Sequence, residues 1–171
     1  GAENGKSAGR RLAAEIALRH AARNFATMRT PRSLLLGIDS GTQSTKALVV
    51  DAKSGQVLGS ASAAYDLIPN LPPGAKEQHP HTWRDATANA IKGALKQAKA
   101  KASEVVGIGV SGQQHGFVPL DKDGQVIRPA KLWCDTSTIA ECEELTAKLG
   151  GLKGASKAVG NAILPGFTVP K

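Results

Sequence analysis

Leu34-Leu35-Leu36-Gly37-Ile38-Asp39-Ser40-Gly41-Thr42-Gln43-Ser44-Thr45-Lys46-Ala47-Leu48-Val49-Val50-Asp51 sets two apolar runs on either side of a polar turn. Residues 34–38 have the length and flanks of a buried strand. Residues 47–50 read the same way and end in β-branched side chains. Between the runs lie one carboxylate, one glycine, four hydroxyls and one lysine. That is the composition of a tight hairpin whose tip carries phosphate- and metal-binding groups. Gly41 lets the backbone turn sharply and bring its N–H groups near an anion. Thr42, Ser44 and Thr45 offer hydroxyls to phosphate oxygens, and Gln43 lies among them. Lys46 adds positive charge, and Asp39, at a strand end, suits a magnesium ion.

A plain surface hairpin would also use Gly and Ser. The stretch touches the Walker A pattern as well, but no second glycine precedes Lys46 and an apolar strand follows where that motif needs a helix. The Asp-x-Gly-Thr between two strands instead resembles the first phosphate motif of the actin, heat-shock-ATPase and sugar-kinase superfamily. That resemblance implies an α/β fold: a ribonuclease-H-like domain with a mixed sheet, antiparallel first three strands and crossover helices.

Working outward, the chain has 171 residues, 41% of them apolar and 21% charged, which suits a soluble globular domain. No apolar run reaches the length of a membrane span. Cys134 and Cys142 have no CxxC spacing, so a reducing cytoplasm fits better than a disulfide framework. The net charge of +8 invites a nucleic-acid reading, but its distribution argues otherwise. Residues 1–33 carry a net +5 and residues 34–171 only +3. Lys92, Lys96, Lys99 and Lys101 read as a solvated helix face. The aromatic interleaving of single-strand binders is missing. Residues 1–33 read as a basic leader, with an Ala/Leu/Arg-rich amphipathic helix over 10–26. It resembles an organelle transit sequence in composition; the other reading is sequence upstream of a start at Met28. On either reading residues 1–27 are set outside the fold, and 34–171 form the folded domain.

After the hairpin, residues 56–65 read as a third antiparallel strand and 66–80 as a proline-rich loop. His79 and His81 sit there without a third ligand nearby, so they read as polar loop residues. Residues 82–102 have helical spacing from Trp83 to Ala98, with Trp83 on the apolar stripe. Residues 105–110 read as a short buried strand reached by a crossover. Gly107-Ile108-Gly109-Val110-Ser111-Gly112 spells G-x-G-x-x-G, but inside a strand and not before a helix, so it is no dinucleotide fingerprint. Residues 121–124 predict a hairpin turn. Residues 126–133 predict a strand broken by Pro129. Residues 136–149 predict a helix capped by Thr136 or Ser137 and ended by Gly150 and Gly151. The tail to Lys171 reads as loop.

Five motifs now stand in order: Asp39-Ser40-Gly41-Thr42, Glu77-Gln78-x-Pro80-x-x-Trp83, Gly112-Gln113-Gln114-His115-Gly116, Leu132-Trp133-x-Asp135 and Leu164-Pro165-Gly166-Phe167-Thr168. Together they resemble the start of an FGGY carbohydrate kinase of the xylulokinase kind. The resemblance implies transfer of the γ-phosphoryl group of magnesium-ATP to the 5-hydroxyl of D-xylulose. Asp39 would then face the metal, and Gly41, Thr42, Gln43, Ser44, Thr45 and Lys46 the nucleotide phosphates. Gln113, Gln114, His115, Trp133 and Asp135 would face the sugar. Gln114 stands where xylulokinases often carry methionine, which keeps D-ribulose or another ketose open. The resemblance also implies a second domain that supplies the general base and the adenine pocket. On that expectation the chain is an incomplete amino-terminal lobe, silent alone, and its partners are a sugar and the missing carboxy-terminal domain. A truncated, non-catalytic sugar-binding module is the alternative.

Overall fold

The computed structural model describes residues 32–171; the predicted helix over 10–26 lies outside them. Strand β1 (Leu34–Ser40) and β2 (Ser44–Asp51) form the expected hairpin, with Asp39 opposite Lys46 and Ser40 opposite Thr45. Strand β3 (Val57–Ala64) extends it, antiparallel to β2. Helix α1 (Pro80–Gln97) then crosses back, and β5 (Val105–Gly112) joins parallel to β1, giving the order β3-β2-β1-β5. A parallel neighbour needs such a crossover. The register sets Ser40 beside Gly112, so the chain leaves β5 next to the β1–β2 turn.

Strand alternation decides the core. Leu34 and Leu36 of β1 and Ala47 and Val49 of β2 turn to one face and are buried there. They meet Ala90, Ala94 and Ala98 at the end of α1. Small residues let this helix lie very close. A Cβ on Gly59 of β3 would stand 2.5 Å from the Ala94 carbonyl and 2.6 Å from the Ala98 nitrogen.

Several expected elements shift. Helix α1 begins two residues early, because Pro80 lacks only an N–H that a first turn leaves unbonded anyway. It stops at Gln97, and Lys99 takes a left-handed φ of 48°. Strand β5 is longer than expected and is not buried: Val106, Ile108 and Val110 are 66%, 64% and 73% exposed. It is the last strand of this sheet among the described residues, and α1 lies mainly across β3 and β2.

Within the predicted loop 66–80, Glu77–Gln78 form β4 and pair with β6 (Ala130–Lys131). Only these two residues of the predicted strand 126–133 are strand; next to them Pro129 has no N–H to give. Buried Glu77 accepts from Arg128 and faces Lys131 at 3.4 Å. The turn at 121–124 is as expected, with Gly124 at φ 75° and Asp121 accepting from the Asp123 and Gln125 amides.

Helix α2 (Ile139–Lys148) starts after Thr138, neither of the two expected caps. Ser137 is unavailable because its hydroxyl is committed to Asp135. The tail is not all loop. Helix α3 (Gly151–Val159) follows a reversal in which Gly150 and Gly151 take φ of 83° and 82°. A Cβ on Gly154 would overlap the Leu149 carbonyl. The glycines that read as breakers are therefore what lets α2 and α3 pack around Cys142, Ala155 and Ile163.

Asp135 is fully buried. One carboxylate oxygen accepts from the Lys76 amide at 2.8 Å, and the other from the Ser137 amide and hydroxyl at 3.0 and 2.6 Å. Lys131 Nζ lies 3.4 Å away. The expectation that Asp135 meets substrate is corrected here: its acceptor sites go to joining residues 74–78 to 130–137. Burial alone would push this carboxyl up. The hydrogen bonds from Ser137 and Lys76 and the Lys131 charge outweigh it and hold it below the usual carboxylate range.

Two outcomes follow from this packing. Gly59→Ala costs about 1–3 kcal/mol by overpacking, whereas Gly109→Ala, whose Cβ meets nothing within 4 Å, stays near wild type in urea unfolding. Asp135→Asn places an amide among N–H donors and costs about 2–4 kcal/mol at pH 7. Because the folded carboxyl titrates below the unfolded one, its contribution is complete above the usual carboxylate range and fades as pH falls through the folded value. The gap between Asp135→Asn and wild type therefore narrows from pH 7 to about pH 3; a constant gap would contradict the charged role.

Candidate functional site

The turn at residues 41–43 is held from one side. The Gly41 carbonyl accepts from the Tyr65 hydroxyl at 2.6 Å, the Thr42 carbonyl from Gln78 Nε2 at 2.7 Å, and the Gln43 carbonyl from the Tyr65 amide at 3.0 Å. The peptides are trans, so each N–H points opposite to the carbonyl of its own peptide unit. The Thr42 and Gln43 amides hydrogen-bond to no described residue. The Gly41 amide closes the turn on the Ser44 carbonyl at 3.0 Å.

Alternation along the hairpin separates its side chains. Asp39 and Lys46 stand opposite each other and are exposed, and neither side chain has a partner among the described residues. With Gly41, Thr42, Gln43 and Ser44 they line an open cleft of about 800 Å³, together with Tyr65, Asp66, Lys76, Trp133 and Cys134. Thr45 points the other way. It is fully buried, 3.2 Å from the Tyr65 hydroxyl and 3.4 Å from Ser40 Oγ. The expectation that Thr45 meets phosphate is corrected: it braces the turn from behind.

The second predicted group arrives from β5. Asp39, Gly41 and Thr42 share a neighbouring recess of about 430 Å³ with Gly112, Gln113, Gln114, His115 and Trp133. Trp133 is half exposed, which rules out an ordinary core role, and its indole N–H donates to Thr42 Oγ1 at 3.1 Å. An indole only donates, so the Thr42 proton goes on to Gln113 Oε1, 3.4 Å away. The Gln113 backbone N–H donates to the Ser40 carbonyl at 3.0 Å, and the side-chain Nε2 is buried without a partner among the described residues. Gln114 and His115 are exposed at the mouth. His115 takes a left-handed φ of 54°, and its ring lies 4.9 Å from that of Phe167. Its carbonyl accepts from Lys171 Nζ at 2.8 Å, as does that of Gly166. Burial pushes the Lys171 ammonium below the usual lysine range, against the opposing pull of Asp135. A Cβ on Gly166 would stand 3.1 Å from the Trp133 carbonyl. The Leu164–Thr168 motif thus backs both His115 and Trp133.

The sequence offers no site role for Tyr65 or Gln78 and puts Trp83 on the helix's apolar stripe. Trp83 is only partly buried and donates to Gln78 Oε1 at 2.8 Å. The signal was present in the Glu77-Gln78-x-Pro80-x-x-Trp83 motif, whose polar members serve the turn and not the helix stripe. His79 and His81 stack at 5.1 Å, and no group of three metal-binding side chains occurs among the described residues.

A magnesium–phosphate group fits this donor set. The unpartnered Asp39 is a hard oxygen ligand, the two open amides suit an anion, and Lys46 adds charge. With one carboxylate and no cage, the metal would draw its other ligands from phosphate and water, as magnesium commonly does.

The chain was compared with known proteins. Residues 34–171 match the N-terminal domain of the FGGY family of carbohydrate kinases. A xylulose kinase from Haemophilus influenzae is 43% identical over 142 residues, covering 81% of this chain and 29% of that protein. One from Streptomyces coelicolor is 39% identical over 138 residues, covering 81% and 27%. Among solved structures, a xylulose kinase from Bifidobacterium adolescentis superposes with a TM-score of 0.65 at 33% identity, over 81% of this chain and 28% of that one. A glycerol kinase from Plasmodium falciparum, at 22% identity and TM-score 0.68, shares the fold. The chain spans under a third of the length of these curated relatives. No helix among the described residues is long and apolar enough to cross a membrane. The mixed sheet, the hairpin turn and the match over residues 34–171 place this chain in the FGGY family of carbohydrate kinases.

Proposed function

We propose that residues 34–171 are the sugar- and phosphate-facing part of an ATP-dependent xylulokinase. One observation carries the reading: the turn with Asp39, Gly41 and Thr42 shares a recess with Gln113, Gln114, His115 and Trp133. Phosphoryl transfer depends on positioning and charge stabilisation, and this recess brings groups for both reactants together. The similarity to xylulose kinases supports D-xylulose as the acceptor.

In this reading Asp39 holds the metal, and the Thr42 and Gln43 amides with Ser44 and Lys46 hold phosphate oxygens. Magnesium-ATP, when bound, supplies the phosphoryl group and the metal charge. The exposed indole face of Trp133 covers the C–H surface of the sugar. Gln114 and His115 hydrogen-bond its hydroxyls. The acids lining the cleft are Asp39 and Asp66, and Asp39 is assigned to the metal. The chain spans under a third of its xylulose kinase relatives; in this reading residues 34–171 bind and orient, and the proton acceptor comes from another part of the protein.

Calorimetric titration of the chain with D-xylulose tests the sugar side. Trp133→Ala weakens binding at least tenfold, a loss of about 1.4 kcal/mol or more, and D-ribulose binds more weakly than D-xylulose. Sugar affinity indifferent to Trp133→Ala would refute the assignment. A coupled ADP-release assay with the same chain and D-xylulose stays at background; turnover at ordinary kinase rates, about 1–100 per second, would show that the proton acceptor lies within these residues.

A further inference from the structure

Two residues hold the carbonyls of the 41–43 turn, and one of them is a buried carboxamide. Gln78 is 1% exposed, so it is walled off from any ligand in the cleft. Its Nε2 donates to the Thr42 carbonyl at 2.7 Å and to the Asp66 carbonyl at 3.2 Å, and its Oε1 accepts from the Trp83 indole at 2.8 Å. An indole N–H can only donate and a peptide carbonyl can only accept. One orientation of the carboxamide satisfies all three, so Trp83 sets which end of Gln78 faces the turn.

We propose that Gln78 is a positioning residue of the phosphate turn, oriented by Trp83. The proposal rests on the reading of the turn as phosphate-binding. By holding the Thr42 carbonyl, Gln78 sets the plane of the Thr42–Gln43 peptide and so the direction of the Gln43 N–H. The same carboxamide fixes the backbone of Asp66 on the cleft wall. Strand β4 carries Gln78 and pairs with β6, two residues before Trp133. Thr42 is thus held twice through this small sheet, its carbonyl by Gln78 and its hydroxyl by Trp133. Without the carboxamide, the Thr42 carbonyl loses this donor, and the Thr42–Gln43 peptide loses the restraint on the direction of its N–H.

The test uses the full 171-residue chain and four proteins: wild type, Gln78→Met, Trp83→Phe and Val49→Ala. Methionine keeps the length of Gln78 without its hydrogen bonds, and phenylalanine keeps an aromatic ring without its N–H. Val49→Ala lowers stability from the core and serves as the control. Three quantities are read: the thermal midpoint, the 15N order parameters of Thr42 and Gln43, and the calorimetric affinity for magnesium tripolyphosphate. Wild type has turn order parameters of about 0.85; Gln78→Met drops below about 0.6 there and binds the probe at least tenfold more weakly. Trp83→Phe weakens binding about two- to fivefold, the share of the carboxamide's alignment that the indole supplies. Val49→Ala loses stability yet keeps turn order and affinity within twofold. Wild-type order at Thr42 and Gln43 in Gln78→Met, or affinity that follows stability across all variants, would overturn the proposal. If wild type itself fails to bind the probe, the phosphate reading falls, while turn order still decides the role of Gln78. If Gln78→Met does not fold, Trp83→Phe against Val49→Ala decides by the same comparison.

Discussion

Everything at the site depends on three consecutive carbonyls being drawn to one side of a three-residue turn. Tyr65 and Gln78 take the oxygens of Gly41, Thr42 and Gln43. A trans peptide cannot send both of its polar groups the same way. Fixing the oxygens inward therefore leaves the Thr42 and Gln43 amides without a partner among the described residues. Gly41 takes no positive φ, and a Cβ there would meet the Ser44 carbonyl at 3.4 Å, an ordinary contact, so the sharp turn expected of a glycine is not what shapes the bend. The hydroxyls of Tyr65 and Thr45 meet behind the turn, so the support is itself hydrogen-bonded.

The sheet then brings the second half of the site to this turn. Because β5 runs parallel to β1 and ends level with it, residues 113–115 emerge beside Ser40. The segment after β6 delivers Trp133 from the opposite side. Asp135 works below the surface. Its carboxylate joins the residue just before the strand that carries Gln78 to the segment that carries Trp133, so a buried charge ties together the two side chains that hold Thr42. Buried carboxylates survive when every acceptor site is filled, and here the Lys76 and Ser137 donors fill them.

Much of this was legible in the sequence, and the limits have physical causes. The hairpin was legible because two short apolar runs flank a turn of polar residues. The crossover helix was legible from its alanine and leucine spacing. Thr45 was misassigned because composition ignores alternation: residues 44 and 46 face the cleft, so 45 cannot. Asp135 was misassigned because a motif shows which residue occurs, not which donors surround it. Strand β5 reads as buried because Val and Ile occupy it; among the described residues it is the last strand of the sheet, and their side chains are exposed. Helix α3 was missed because glycine reads as a breaker in isolation, whereas Gly154 is required by the approach of the Leu149 carbonyl. The roles of Tyr65 and Gln78 needed coordinates, since each serves a backbone carbonyl of the turn far from it in sequence; Trp83 shares a motif with Gln78, but the motif does not show that its indole serves that side chain.

The central claim is that the 39–46 hairpin holds a metal-bound phosphate chain. Manganese is a paramagnetic substitute for magnesium that broadens amide resonances near its binding site. Adding sub-stoichiometric manganese with tripolyphosphate to 15N-labelled chain should broaden the amides of residues 39–46 and Gln113 first, and Asp39→Asn should remove the effect. Broadening centred elsewhere, for instance on the stacked His79 and His81, or insensitive to Asp39→Asn, would contradict the account.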